Sequence, residues 1–320
     1  MTMLSRVADT LYWMSRYLER AEHTARLLDL HLHLMLDQSA ADPQARWDRL
    51  FASLHLSQPP ADVHESYAIT RWLTLDIYND SSILACISAA RENARHVREQ
   101  ISSEMWEHIN RLYFEIKRHD LTPVWYDQPH ELYRAVKEGV HLFQGITDST
   151  MSNGEGWNFI QVGRYVERAS TLAQLIDTHF QHFANIPLNQ TITDDFLEWV
   201  SLLKCCTAYE AYCKVYTAEI RPDRIAEYLI FNSDFPHTIR FSVDWIYQGL
   251  QSIANITESK RAKHVNRLAG KLHALLDYSS VDEILAAGLH EYLEAVQTQC
   301  GQIHNAIYSA YIIYPADDFI

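Results

Sequence analysis

Apolar positions return every three or four residues along almost the whole chain, the period of an α-helix with one buried face. In the first part this spacing predicts helices near residues 4–37, 44–56, 64–78, 82–118 and 130–147. Breaks are expected at Asp42-Pro43, at Pro59-Pro60, at Asn79-Asp80-Ser81 and between Pro123 and Pro129. The second part predicts helices near 157–184, 194–219, 223–232, 238–277 with a break near Asn255, and 281–313. Thr191 with Asp194, and Ser280 with Glu283, have the spacing of a capping box, and Pro222 suits a first helical position. No stretch alternates apolar and polar residues between turn dipeptides, so no sheet is expected. The expected class is all-α.

The pattern is also written twice. Leu11–His31 aligns without gaps on Phe159–His179 at an offset of 148, with nine identities in 21 positions. These include Arg16/Arg164, Tyr17/Tyr165, Glu19/Glu167, Arg20/Arg168, Asp29/Asp177 and His31/His179. Trp47 and Leu50 match Trp199 and Leu202 at 152; His108, Asn110 and Arg111 match His264, Asn266 and Arg267 at 156; His130-Glu131 matches His290-Glu291 at 160. Such self-similarity reads as tandem duplication with insertions confined to connections. The expected architecture is therefore two bundles of about five helices each, residues 1–150 and 151–320, packed into one body as pseudo-symmetric halves. Asn153-Gly-Glu-Gly156 marks the seam and is short enough to dock the halves closely.

Wound at 100° per residue, the first helix carries Met14, Tyr17, Leu18, Ala21, Ala25, Leu28 and Leu32 on one face. The opposite face holds Tyr12, Trp13, Arg16, Glu19, Arg20, His23, Leu27, Leu30 and His31. A helix apolar on two sides is buried on two sides, charges included. Exposed, an Arg16–Glu19 pair contributes only about 0.2–0.5 kcal/mol. Buried, removal of one partner costs roughly 3–5 kcal/mol because the other charge is stranded. Two arginines beside one glutamate leave a surplus cation, and guanidinium pairs bidentately with carboxylate and phosphate. The cluster can thus be a lock between helices or a ligand contact.

Composition narrows the function. Nine glycines in 320 residues, with no G-x-G-x-x-G and no G-x-x-x-x-G-K-[ST], leave no phosphate loop of the dinucleotide or P-loop kind. Lys plus Arg number 27 against 41 Asp plus Glu, a net charge of −14, which disfavours nucleic acid and anionic membranes as partners. Cys86, Cys205, Cys206, Cys213 and Cys300 are odd in number and lack C-x-x-C spacing. They read as reduced core thiols of a cytoplasmic protein without signal peptide or membrane span.

The tandem R-Y-x-E-R-A unit resembles the alpha-E family, a helical domain with a typically duplicated ER motif. The likeness covers essentially the whole chain, with the ER pairs at Glu19-Arg20 and Glu167-Arg168. Ala90–Arg95 and Ser103–Glu107, with Asn110 beyond, fit the same pattern in the first copy. The resemblance implies work beside a circularly permuted ATP-grasp ligase and a transglutaminase-like protease in peptide synthesis or modification. It assigns no reaction to the helical protein. The expected role is accessory or substrate-presenting, with a peptide or small anionic ligand and a homo-oligomer both compatible. The alternative is an enzyme acting on an anionic substrate at the Glu-Arg clusters.

Candidate ligand residues are Arg16, Glu19, Arg20, Arg164, Glu167 and Arg168. Arg91 and Arg95, with Arg98, form a cationic stripe on the fourth helix that the second copy lacks. Asn110 is a polar fixture or a ligand contact. Seventeen histidines invite a metal reading, but Glu138-x-x-His141 and His179-x-x-His182 each lack a counterpart in the other copy. No metal or cofactor is expected, and no catalytic residue is named.

Overall fold

The computed structural model describes residues 3, 5–36, 43–56, 59–60, 63–119, 129–183, 193–217, 219–257 and 262–312. Among them are fourteen α-helices and no strand. The first half comprises α1 (Ser5–Leu36), α2 (Pro43–Ser53), α3 (Ser66–Leu75), α4 (Ile83–His96), α5 (Ser103–Arg118) and α6 (Pro129–Thr150). The second comprises α7 (Glu155–His182), α8 (Thr193–Cys205), α9 (Tyr209–Tyr216), α10 (Pro222–Phe231), α11 (Ile239–Thr257), α12 (Ala262–Asp277), α13 (Val281–Ala287) and α14 (Leu289–Ile307). A π-helical turn, Tyr308–Ile312, follows.

Helix count exceeds the expected five per copy because polar caps interrupt stretches whose apolar spacing is continuous. In the stretch 82–118, Val97 ends α4, and the Ser102 side chain starts α5 by accepting the Met105 N–H at 3.1 Å. Ile101 stays buried between them, so the apolar period runs through the turn. Thr207, at φ 50°, separates α8 from α9. Gly288, at φ 128°, parts α13 from α14 in a conformation that glycine adopts without strain. The Ser280–Glu283 capping box forms as its spacing predicts, and Pro222 opens α10. α11 ends at Thr257, two residues beyond the break expected near Asn255; the cap expected at Thr191 lies outside the described residues.

The two longest helices, α1 and α7, make the most extensive contact in the protein. α1 also packs on α4 and α6, α4 on α5, and α5 on α6, closing a ring of four. α7 does the same with α11 and α14, joined through α12. α2 leans across onto α7, and α8 onto α1. Asp29 meets His130 at 2.6 Å, and its counterpart Asp177 meets His290 at 2.9 Å. This packing is consistent with a duplicated helical bundle.

Both faces of α1 are buried, as its pattern requires: Met14, Leu18, Ala21 and Leu28 on one, Tyr12, Leu27 and His31 on the other. The crossing of α1 and α7 is close because of one residue. A Cβ on Gly163 would lie 2.4 Å from the Tyr12 carbonyl oxygen and 2.4 Å from Ser15 Oγ. By the 148 offset, position 163 is the counterpart of Ser15 itself. At the seam, α6 stops at Thr150 and α7 starts at Glu155, so the halves dock through a turn of four residues.

Candidate functional site

Residues 16, 19 and 20 share one side of α1, and 164, 167 and 168 share one side of α7, because three and four positions return to the same face. The close crossing lets each helix reach the other's charges. The i,i+3 pairing expected of Arg16 and Glu19 does not form. Instead Arg16 Nε donates to Glu167 at 2.6 Å, Arg20 Nε to Glu167 at 2.7 Å, and Arg168 grips Glu19 through Nε at 2.5 Å and Nη2 at 2.9 Å. Each ER motif is completed by the other copy.

Burial alone would raise both carboxylates, but the guanidiniums reverse that effect. Arg168 holds Glu19 below the ordinary range, and Arg16 with Arg20 holds Glu167 at about 2. Both glutamates are fixed anions. His23 is pushed by burial down to about 4 and is neutral near pH 7. Arg26 forms a buried pair with Glu22 and is lowered by burial to about 10.

The wiring is unequal. Glu167 has two arginines, whereas Glu19 has Arg168 alone, with Arg164 acting on it only through its field. Arg164 is buried and, among the described residues, makes no ion pair; it lies 5.9 Å from the Tyr165 ring centroid. With Arg26 and Glu22 included, five guanidiniums meet three carboxylates, a surplus of two positive charges in the interior of an acidic protein.

Part of that surplus faces space. A cavity of about 290 Å³ lies beside the crossing, lined by Arg16, Arg20, His23, Glu167, Thr171 and Gln174, and closed by Ser53–Leu56 after α2. Arg20 is the most exposed member of the cluster, at 28% against 5% for Glu167 and Arg168; among the described residues its hydrogen bonding is through Nε, and the Tyr17 ring centroid lies 5.9 Å from its Cζ. Among the described residues no hydrogen bond takes up its terminal nitrogens. Arg16 is held more firmly, by the Tyr12 hydroxyl at 3.3 Å and the Trp13 ring at 4.7 Å.

Arg91, Arg95 and Asn110 do not join this site. Arg91 Nε donates to Asn110 at 2.7 Å, and Glu92 takes both Arg91 and Arg95. Arg91 also lies 4.8 Å from the Tyr113 ring centroid, so the stripe is a salt-laced outer face of α4 and α5. Sequence reasoning missed the ring around Arg16: His304 from α14 bonds Tyr12 at 3.0 Å and stacks beside it. It also missed Glu22–Arg26, whose second partner is His141 at 3.2 Å. Tyr12 and Trp13 carried a signal, as aromatic residues on a charged face; His304 carried none. All five cysteines are free, and burial raises Cys86, Cys205, Cys206 and Cys300.

Residues 3–312 match the family described as Alpha-E, a predicted alpha-helical domain with a conserved ER motif. The chain belongs to the Alpha-E family. The chain's two Glu-Arg dipeptides, Glu19-Arg20 and Glu167-Arg168, are the residues that pair across α1 and α7. Uncharacterised proteins of Mycobacterium bovis and Mycobacterium tuberculosis are 20% identical to this Alpha-E chain over 97% of its length. The chain spans about 37% of the length of these relatives. No solved structure matches it. No helix among the described residues is long and apolar enough to cross a membrane.

Proposed function

We propose that this Alpha-E protein binds the anionic group of a ligand, a carboxylate or phosphate, at the Arg16–Arg20 cavity and presents that ligand to a separate catalytic protein. The observation that carries this reading is Arg20: a guanidinium engaged through one nitrogen, at the wall of a polar cavity, in a cluster with excess positive charge. Guanidinium terminal nitrogens suit the paired oxygens of such groups. A binding role is also favoured over acid–base catalysis by the glutamates. Glu167, held at about 2, has no proton to give near neutral pH and is a weak base there.

The partner we propose is a circularly permuted ATP-grasp ligase, with a transglutaminase-like protein in the same peptide or amide-forming system. In the Mycobacterium relatives, sequence similar to this chain is joined to further polypeptide, since most of their length lies outside the matched region. In this reading the chain is a duplication whose halves, 1–150 and 151–320, are related by a pseudo-twofold axis near Ser15 and Gly163. The ER pairs lock the halves together while leaving one cationic mouth open.

Titration with inorganic phosphate and with succinate, followed by calorimetry, tests the anion site. Binding that Arg20→Gln abolishes, in a variant that still folds and melts cooperatively, is expected. Failure of both probes, or equal binding by the variant, refutes it. Co-purification with an ATP-grasp protein of the host tests the partner separately.

A further inference from the structure

Apart from the Arg16–Arg20 cavity, the described residues bring one group of metal-ligating side chains together. Asp29 and His33 stand one turn apart on α1, and His130 faces them from the start of α6. One ligand atom from each lies within 4.8 Å of the other two. We propose that these three side chains bind one divalent transition-metal ion of the zinc type. Two imidazole nitrogens and a carboxylate oxygen form a donor set that zinc accepts, with a further position left open.

The hydrogen bonding prepares the imidazoles. His33 Nδ1 donates to the Asp29 backbone carbonyl at 2.8 Å, which leaves Nε2 with its lone pair. His130 Nδ1 donates to Asp29 Oδ1 at 2.6 Å, a proton that a metal ion would displace, and the two rings lie side by side with centroids 3.6 Å apart. His33 is more than half exposed, so it reaches the shared position without repacking the core. A neighbouring cavity of about 340 Å³ includes Asp29, His33, Lys137 and Lys204, and has room for water or a ligand oxygen as the fourth donor.

The second half supplies a built-in comparison. There Asp177 and His290 repeat the Asp–His contact, but Gln181 stands where His33 does, and its amide contacts His290 at 2.6 Å. In the second half the Asp–His contact therefore joins helices without a second imidazole. His33 exceeds what that contact needs. One feature opposes the metal: Lys137 Nζ sits 2.6 Å from Asp29 Oδ2 and competes for the carboxylate. Binding is consequently expected in the micromolar range rather than tighter.

The test uses untagged, full-length, metal-free protein titrated with zinc chloride at pH 7.5 by calorimetry, with Co²⁺ absorption reporting nitrogen ligation. Wild type is expected to take up one equivalent. His33→Gln, which rebuilds the second half's arrangement, should weaken binding by roughly tenfold or more while leaving the metal-free melting temperature unchanged. Lys137→Met should tighten it. No uptake by wild type at about 100 µM zinc, or undiminished uptake by His33→Gln, overturns the proposal.

Discussion

Glu19 and Glu167 occupy equivalent positions, yet their removal should not cost the same. Glu19→Ala strands Arg168, whose side chain is 5% exposed and, among the described residues, keeps the Pro236 carbonyl at 3.1 Å and the Tyr165 ring at 5.3 Å. Arginine does not shed its proton to escape, so an unpaired charge stays buried. Breaking such a pair costs about 3–5 kcal/mol. Glu167→Ala releases Arg16 and Arg20 beside the cavity of about 290 Å³, where solvent replaces the lost carboxylate and the loss falls to about 1.5–3 kcal/mol. At about 2.1 cal/mol/K per residue, a chain of 320 residues has an unfolding entropy near 0.67 kcal/mol/K. The expected drops in melting temperature are then roughly 5–7 °C for Glu19→Ala and 2–4 °C for Glu167→Ala. The control is the double variant Glu19→Leu with Arg168→Met, which removes both charges and keeps apolar volume. It should recover more than half of the Glu19→Ala loss, since replacing a whole buried pair is close to neutral. Calorimetric melting at pH 7 measures all three. A Glu19→Ala protein that melts with wild type, or a double variant no better than the single, would refute the stranded-charge account.

Gly163→Ala should destabilise despite alanine's better helix propensity, because its Cβ would lie 2.4 Å from the Tyr12 carbonyl oxygen and force α1 and α7 apart. A loss of about 1–3 kcal/mol in urea unfolding is expected, and a gain would show that the crossing is looser than described. Acid should also destabilise early. Burial pushes His31 and His179 down to about 3, whereas in the unfolded chain they take up protons near pH 6.5. The unfolded state then binds more protons between these limits, so stability falls as pH drops below about 6.5 and continues falling to about 3. Each imidazole accounts for roughly 2 kcal/mol between pH 6.5 and 5. Glu167 adds its own loss only below pH 4.5, towards its folded value near 2. His31→Phe should flatten the urea midpoint between pH 5 and 6.5 relative to wild type, and an unchanged slope would remove His31 from the argument.

Much of the fold was legible because helical periodicity and the duplication are both local patterns in the chain. Met14, Leu18, Ala21 and Leu28 announced a core face, and Tyr12, Leu27 and His31 announced a second, so burial of the ER charges followed before any coordinates. The breaks at Val97–Ser102, Thr207 and Gly288 were not legible from periodicity, because each depends on a cap or a left-handed residue beneath continuous apolar spacing. Arg91 and Arg95 looked like part of a site because like charges at i and i+4 suggest a common target. Glu92 and Asn110 answer them locally.

The partners of the ER residues were the least legible feature, for a physical reason. A pair at i,i+3 is visible in one dimension, while a pair between positions 148 residues apart depends on how closely two helices cross. That distance is decided by Gly163, a residue outside the motif whose equivalent in the first copy is Ser15. A side chain larger than hydrogen there would push α1 from α7 and lengthen the reach from Glu19 to Arg168 and from Glu167 to Arg16 and Arg20. The duplication supplied the charges twice; the asymmetry of one small residue allows the two sets to be shared. The same asymmetry recurs in Arg20, whose terminal nitrogens no hydrogen bond takes up among the described residues, against Arg168, which spends Nε, Nη1 and Nη2 on Glu19 and Pro236. Both copies of the motif hold the halves together, Arg168 through two nitrogens on Glu19 and Arg20 through one on Glu167.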